Sequence, residues 1–260
     1  MTDSPITVSY DGNLAIITHD DPPLNLWHDG TGPAFRSAIE EVAGSDARAV
    51  VWRARGKVFS GGVDVSVFDR ITDGAEAERF FGELIRDFSG FESLEIPSIA
   101  LVHALCLTAS FEAALGCDLI WAGESASFGL VEAVVGLTPA GGGLQRVAER
   151  AGPARAREMV MTGRVYAAEE MVRWGVANRV VPDGELEEKG LAFAHKLADG
   201  PTRAHSATKK IVRAWLDDGI AKADEVTPAV AGALFDTEDL KAAVKTFLAE
   251  GPGNATFEGK

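Results

Sequence analysis

Two carboxylates stand in stretches that are otherwise apolar enough to be buried. Glu112 lies inside the run from Pro97 to Asp118, and Glu132 directly precedes the run from Ala133 to Leu137. An ionised carboxylate is costly to take out of water, so both residues demand a reason. Held in different protonation states, two such groups can divide a reaction between them: the ionised one takes a proton and the protonated one gives a proton. Each also has an ordinary explanation. A Glu in the first turn of a helix is stabilised by the helix dipole, and Glu132 taken alone could be a solvated loop charge. The reciprocal capping box is absent, because neither Thr108 nor Ser110 stands three residues before Glu112.

Several elements must position these groups. Residues 98–103 read as an apolar strand, followed by the polar break Thr108-Ala109-Ser110 and a compact helix carrying Glu112 in its first turn. Residues 118–122 form a second buried strand. Residues 128–132 and the loop 138–143, with its run of three glycines, follow. Upstream, Asp11-Gly12 between two apolar segments predicts a tight hairpin. A helix is predicted from about Pro33 to Gly44, a buried strand over 49–52, and a helix over 74–94 with Phe80, Leu84, Phe88 and Phe91 on one stripe. Such a stripe serves a core more often than an acyl tunnel. Residues 59–64 are glycine-rich but match neither a phosphate-binding P-loop nor a dinucleotide fingerprint. Beyond Arg146 the chain reads as helices over 150–161, 168–174, 186–198 and 203–216, with a final set of helices from 226 to 249.

Composition narrows the classes. The chain has 260 residues, 46% of them hydrophobic and 25% charged, which is ordinary for a globular protein with a sizeable core. A net charge of -14 argues against nucleic acid and anionic membrane surfaces as partners, and requires a local basic patch for any polyanionic ligand. Arg53, Arg55 and Lys57 alternate near a strand end and could share one side. Glu112 and His103 would be expensive inside a bilayer, which argues against a spanning helix over 98–117. The start of the chain shows no basic segment followed by an apolar one, so a cytoplasmic location is expected. The two cysteines, Cys106 and Cys117, lack the spacing of a disulfide framework or a zinc site. No serine-hydrolase elbow occurs.

The motifs at residues 56–64, 97–118, 126–132, 139–146, 161–163, 168–170 and 174–182 resemble the crotonase, or enoyl-CoA hydratase/isomerase, superfamily along almost the whole chain. The resemblance implies an α/β crotonase-like spiral of ββα units over residues 1–198 and a helical carboxy-terminal region over 199–260 that packs on neighbouring subunits in a trimer or a dimer of trimers. It implies an acyl-CoA substrate, with no metal, nicotinamide or flavin. Glu112 and Glu132 would be the catalytic carboxylates, and the N–H groups of Val63 and Ala109 an oxyanion hole. Lys57, Phe59, Gly62, Asp64, Leu24, Leu26 and Ala140 would line the substrate site, Lys57 closest to the CoA phosphates.

The chain departs from that family where Thr108-Ala109-Ser110 replaces a run of glycines and His103-Ala104 replaces Asn-Gly. A left-handed backbone at Ala109 would cost about 1–2 kcal/mol. Three functions remain open: a hydratase of enoyl-CoA thioesters, an isomerase or carbon–carbon hydrolase using the same carboxylates, and a catalytically silent acyl-CoA-binding protein.

Overall fold

The computed structural model describes residues 4–260; residues 1–3, where part of the amino-terminal expectation falls, lie outside the described residues. The hairpin forms as the sequence predicts. Strands β1 (Ile6–Asp11) and β2 (Leu14–His19) pair antiparallel around Gly12, whose φ of 57° suits the turn. Helix α1 (Thr31–Ala43) then leads to β3 (Ala49–Ala54), and α2 (Gly74–Phe88) with α3 (Gly90–Ser93) leads to β4 (Ser98–Val102). The stripe predicted as one helix over 74–94 is thus broken at Ser89.

Strand β5 (Leu105–Leu107) runs directly into α4 (Thr108–Leu115). Then come β6 (Leu119–Gly123), β7 (Ser127–Gly129), α5 (Gly143–Ala151), α6 (Pro153–Thr162), β8 (Tyr166–Ala167), α7 (Ala168–Trp174) and β9 (Arg179–Val181). The helix expected over 150–161 is two helices, because Gly152 at φ 86° turns the chain and Pro153 begins α6. Helices α8 (Leu186–Ala198), α9 (Thr202–Asp218), α10 (Ile220–Gly232) and α11 (Glu238–Glu250) complete the chain.

The main sheet has the order β1-β2-β3-β4-β6-β9 and is parallel except for the opening hairpin. A smaller sheet has the order β5-β7-β8. Strands buried on both faces need apolar residues at every position, and alternate residues here serve two cores. Val50, Trp52, Ala100, Val102, Ile120 and Ala122 face the core that holds Phe35, Phe91, Phe111 and Phe128. Val51, Ile99, Leu101 and Trp121 face the other core, closed by Leu186, Ala194 and Ala198 of α8. Helix α8 approaches closely because Gly190 has no Cβ; one would stand 2.6 Å from Leu101.

The carboxy-terminal helices are tied back by Lys209 to Asp118 at 2.8 Å and by Arg48, which donates to Thr202, Gly200 and Phe257. Among the described residues no helix is long and apolar enough to cross a membrane.

Candidate active site

Glu112 sits in the second turn of α4, not the first as the sequence suggests. The chain enters the helix straight from β5, so Thr108 and Ser110, which resemble capping residues, lie inside it. The helix has no acidic residue in its first turn, which removes the simple end-of-helix explanation for Glu112. The side chain is 3% exposed, and its Oε1 accepts the N–H groups of Gly141 and Gly143, each at 2.9 Å.

The glycine run makes this approach possible. A Cβ on Gly143 would lie 2.5 Å from Glu112 Cγ, and one on Gly141 would lie 2.3 Å from the Phe88 ring. Gly143 also opens α5, whose unpaired N–H groups and dipole favour an anion at that end. Arg150, half-buried, donates to the carbonyls of Leu115 and Cys117 and locks the end of α4 against α5.

Glu132 begins a short 3-10 turn, Glu132–Val135, after β7 and is also buried. Its Oε2 has no hydrogen-bond partner among the described residues. Burial, and then the charge of Glu112, push its carboxyl up to about 7. Burial raises the Glu112 carboxyl as well, but the N–H groups of Gly143 and Gly141 oppose that rise. Two N–H groups of the glycine run favour the charged form of Glu112, whereas at Glu132 only its own N–H does and the charge of Glu112 opposes it, so Glu112 ionises first. At neutral pH the Glu132 carboxyl, raised to about 7, keeps much of its proton beside a Glu112 whose charged form the glycine N–H groups favour.

The loop bearing Val63 is fixed from two sides. The N–H of Trp27 donates to Gly62 O at 2.8 Å and the N–H of Asp64 to Trp27 O at 3.0 Å, while Ser60 exchanges backbone bonds with Leu105 and Leu107 of β5. Asn25, at φ 50°, donates to the carbonyls of Arg55, Val58 and Phe59, and Ser60 Oγ bridges Asn25 O and the N–H of Gly62. Neither Asn25 nor Ser60 stands out in the sequence. The tolerance of Asn for left-handed backbone was the one available signal.

This frame brings Val63 to the start of α4, but its N–H donates to the Thr108 hydroxyl at 3.0 Å. The left-handed residue is Thr108, at φ 43°, and not Ala109. For a β-branched residue that conformation costs about 1–3 kcal/mol. Ala109 is fully buried behind it, with its N–H in the first turn of the helix.

The remaining residues expected at the site are distributed around this frame. Gly62 is buried at φ 96° beside Thr108; Leu24 and Leu26 lie against Gly61, and Ala140 adjoins Gly141. The Phe59 ring belongs to the core, 5.0 Å from Trp52, which leaves only its backbone for a ligand. Asp64 caps the 3-10 turn Val65–Arg70 by accepting from Ser66, and that hydrogen bond holds its carboxyl below the usual range. Arg53 and Arg55 both pair with Glu187, whereas Lys57 is exposed and has no ion pair among the described residues. No cluster of three or more His, Cys, Asp or Glu among the described residues is arranged to hold a metal ion. Both cysteines are buried with thiols raised by desolvation.

The chain matches the family model for enoyl-CoA hydratase/isomerase over residues 10–259. It is 38% identical over 208 residues, 78% of this chain and 78% of the relative, to a carnitinyl-CoA dehydratase of Salmonella typhimurium. Its fold superposes on an enoyl-CoA hydratase subunit from Geobacillus kaustophilus with a TM-score of 0.91 at 29% identity, covering 98% of each chain. DspI of Pseudomonas aeruginosa is similar at a TM-score of 0.87 and 29% identity, covering 95% of this chain and 94% of that one.

Proposed function

Since the chain belongs to the enoyl-CoA hydratase/isomerase family, we propose that it adds water across the 2,3 double bond of an enoyl-CoA thioester and removes it in reverse. The observation that carries this reading is the asymmetry of the two buried carboxylates: Glu112 with two backbone donors, Glu132 with an unpartnered oxygen and a carboxyl raised to about 7. Hydration needs both states at once. Glu112 takes a proton from water as its oxygen bonds to C3, the electron pair of the double bond moves toward the thioester carbonyl, and Glu132 delivers a proton to C2. A one-base isomerase would need only one of the two groups. The activity for which the Salmonella relative is named, that of a dehydratase, fits the same proton transfers run backwards.

The enolate oxygen that forms in this step would lie against the Val63–Thr108–Ala109 cradle, where a fixed donor is worth roughly 3 kcal/mol. For a CoA polyanion approaching a chain of net charge -14, Lys57 is the cation of the basic edge without an ion pair among the described residues, and it is assigned to the phosphates. Large apolar side chains left exposed on and between the last helices, among them Trp215, Ile220, Phe235, Phe247 and Leu248, support a trimer or a dimer of trimers.

A second reading, binding without turnover, draws on the Thr108 hydroxyl that occupies the Val63 N–H. Mixing the purified protein with crotonyl-CoA separates the two. Loss of the enoyl-thioester ultraviolet absorbance is the expected result, and tight binding with unchanged absorbance would refute hydration.

A further inference from the structure

The Thr108 hydroxyl lies where a ligand oxygen would have to arrive to meet the N–H of Val63. That N–H already donates to Oγ1 at 3.0 Å. The position is built, not incidental. Gly62 clears the volume, since a Cβ there would fall 2.2 Å from Oγ1, and the Thr108 backbone is held at φ 43°, which a β-branched residue avoids unless its surroundings impose it. A threonine hydroxyl accepts with its lone pairs and has one proton to give. Here the acceptor side is used by Val63, and among the described residues the proton has no acceptor. Thr108 also keeps 8% of its surface exposed, whereas Ala109 behind it has none.

Resting on the reading of the substrate as a CoA thioester, we propose that the Thr108 O–H is the catalytic donor that meets the thioester oxygen. The N–H of Val63 acts one step behind, through Oγ1. An O–H that accepts a hydrogen bond is a stronger donor, because each bond in a chain polarises the next. As charge moves onto the thioester oxygen, the Thr108 O–H shortens its bond to that oxygen and Val63 N–H shortens its bond to Oγ1. The proton stays on Oγ1 throughout, and no covalent bond to Thr108 forms. The Thr-Ala-Ser sequence is therefore an oxyanion site displaced outward by one hydroxyl, not a closed one.

The test compares wild type with Thr108→Ser, Thr108→Val and Thr108→Gly. Crotonyl-CoA reports turnover, and carbonyl-labelled butyryl-CoA, which has no double bond to hydrate, reports the carbonyl stretch of the bound thioester by infrared difference. Wild type and the Ser variant should show the same lowered stretch and kcat within about threefold of each other. The Val variant, which keeps the shape and loses the proton, should lose the lowering and about 10²-fold in kcat, with KM changed only a few-fold. Should the Val variant misfold, the stretch in the Ser and Gly variants decides, because Gly removes the hydroxyl without adding bulk. A stretch and kcat unchanged in Val, or a tenfold or greater rise of kcat/KM in Gly, overturns the proposal, the latter by showing that the hydroxyl is only a plug. If neither thioester binds the wild type, the CoA reading itself falls and this inference with it; binding whose stretch ignores the hydroxyl refutes this inference alone.

Discussion

Replacing Glu132 by Gln should make the protein more stable at neutral and alkaline pH. The Glu132 carboxyl is raised from 4.5 to about 7, first by burial and then by the charge of Glu112. A carboxyl whose pKa is higher in the folded chain than in the unfolded one binds more protons when folded. Stability therefore falls as pH rises through the window from 4.5 to about 7, and the whole penalty is present above it. At about 1.4 kcal/mol for each tenfold in the equilibrium, the penalty is about 3 kcal/mol. Gln keeps the shape and cannot ionise, so the variant escapes the penalty. Urea unfolding followed by tryptophan fluorescence at pH 5 and pH 8 measures it. The stability of Glu132→Gln relative to wild type should grow by about 2.5 kcal/mol between those pH values. Taking the difference between the two proteins cancels the titration of every other carboxylate that the substitution leaves alone. A difference that does not change with pH would refute the assignment of Glu132 as the buried, proton-holding partner.

Other outcomes follow from the same geometry. In the hydration direction kcat/KM should fall as pH rises through about 7, where Glu132 loses its proton, and a stopped-rate assay in buffers from pH 5 to 9 checks this; a rate flat across that range would count against it. Glu112→Gln should lower kcat by at least 10³-fold while acyl-CoA binding by calorimetry changes only a few-fold, because the amide oxygen can still accept from Gly141 and Gly143 but cannot take a proton. Gly143→Ala places a Cβ 2.5 Å from Glu112 Cγ and should cost about 1–3 kcal/mol of stability and most of the activity, measured by denaturant unfolding and the absorbance assay. Light scattering at micromolar concentration should return a trimer or a multiple of it, and a monomer would refute the role given to the exposed apolar side chains of the last helices.

The sequence alone determined the α/β alternation, the buried strands and the presence of two carboxylates, Glu112 and Glu132, in stretches that the fold buries, because each is a local signal. Unbroken apolar runs mark strands covered on both faces, and a carboxylate in such a run carries its own cost wherever it folds. The helix over residues 186–198 was legible end to end for the same reason, since its apolar period and its breakers lie in the chain itself. Strand β5 was missed because three residues show no period, and the start of α4 was misplaced because Thr108 and Ser110 look like caps. What only the tertiary structure decided is the environment that each carboxylate and each loop N–H meets. The N–H groups that hold Glu112 come from a loop that follows β6 and β7 in the chain, about thirty residues on, and the hydroxyl that meets Val63 comes from the end of β5, with Thr108 rather than Ala109 taking the left-handed backbone. A backbone N–H carries no residue type, so nothing in the sequence marks which one points at a carboxylate. The protonation of Glu132 likewise depends on how deeply the fold buries it and on how near the charge of Glu112 is brought, and both are set by packing between segments far apart in the chain.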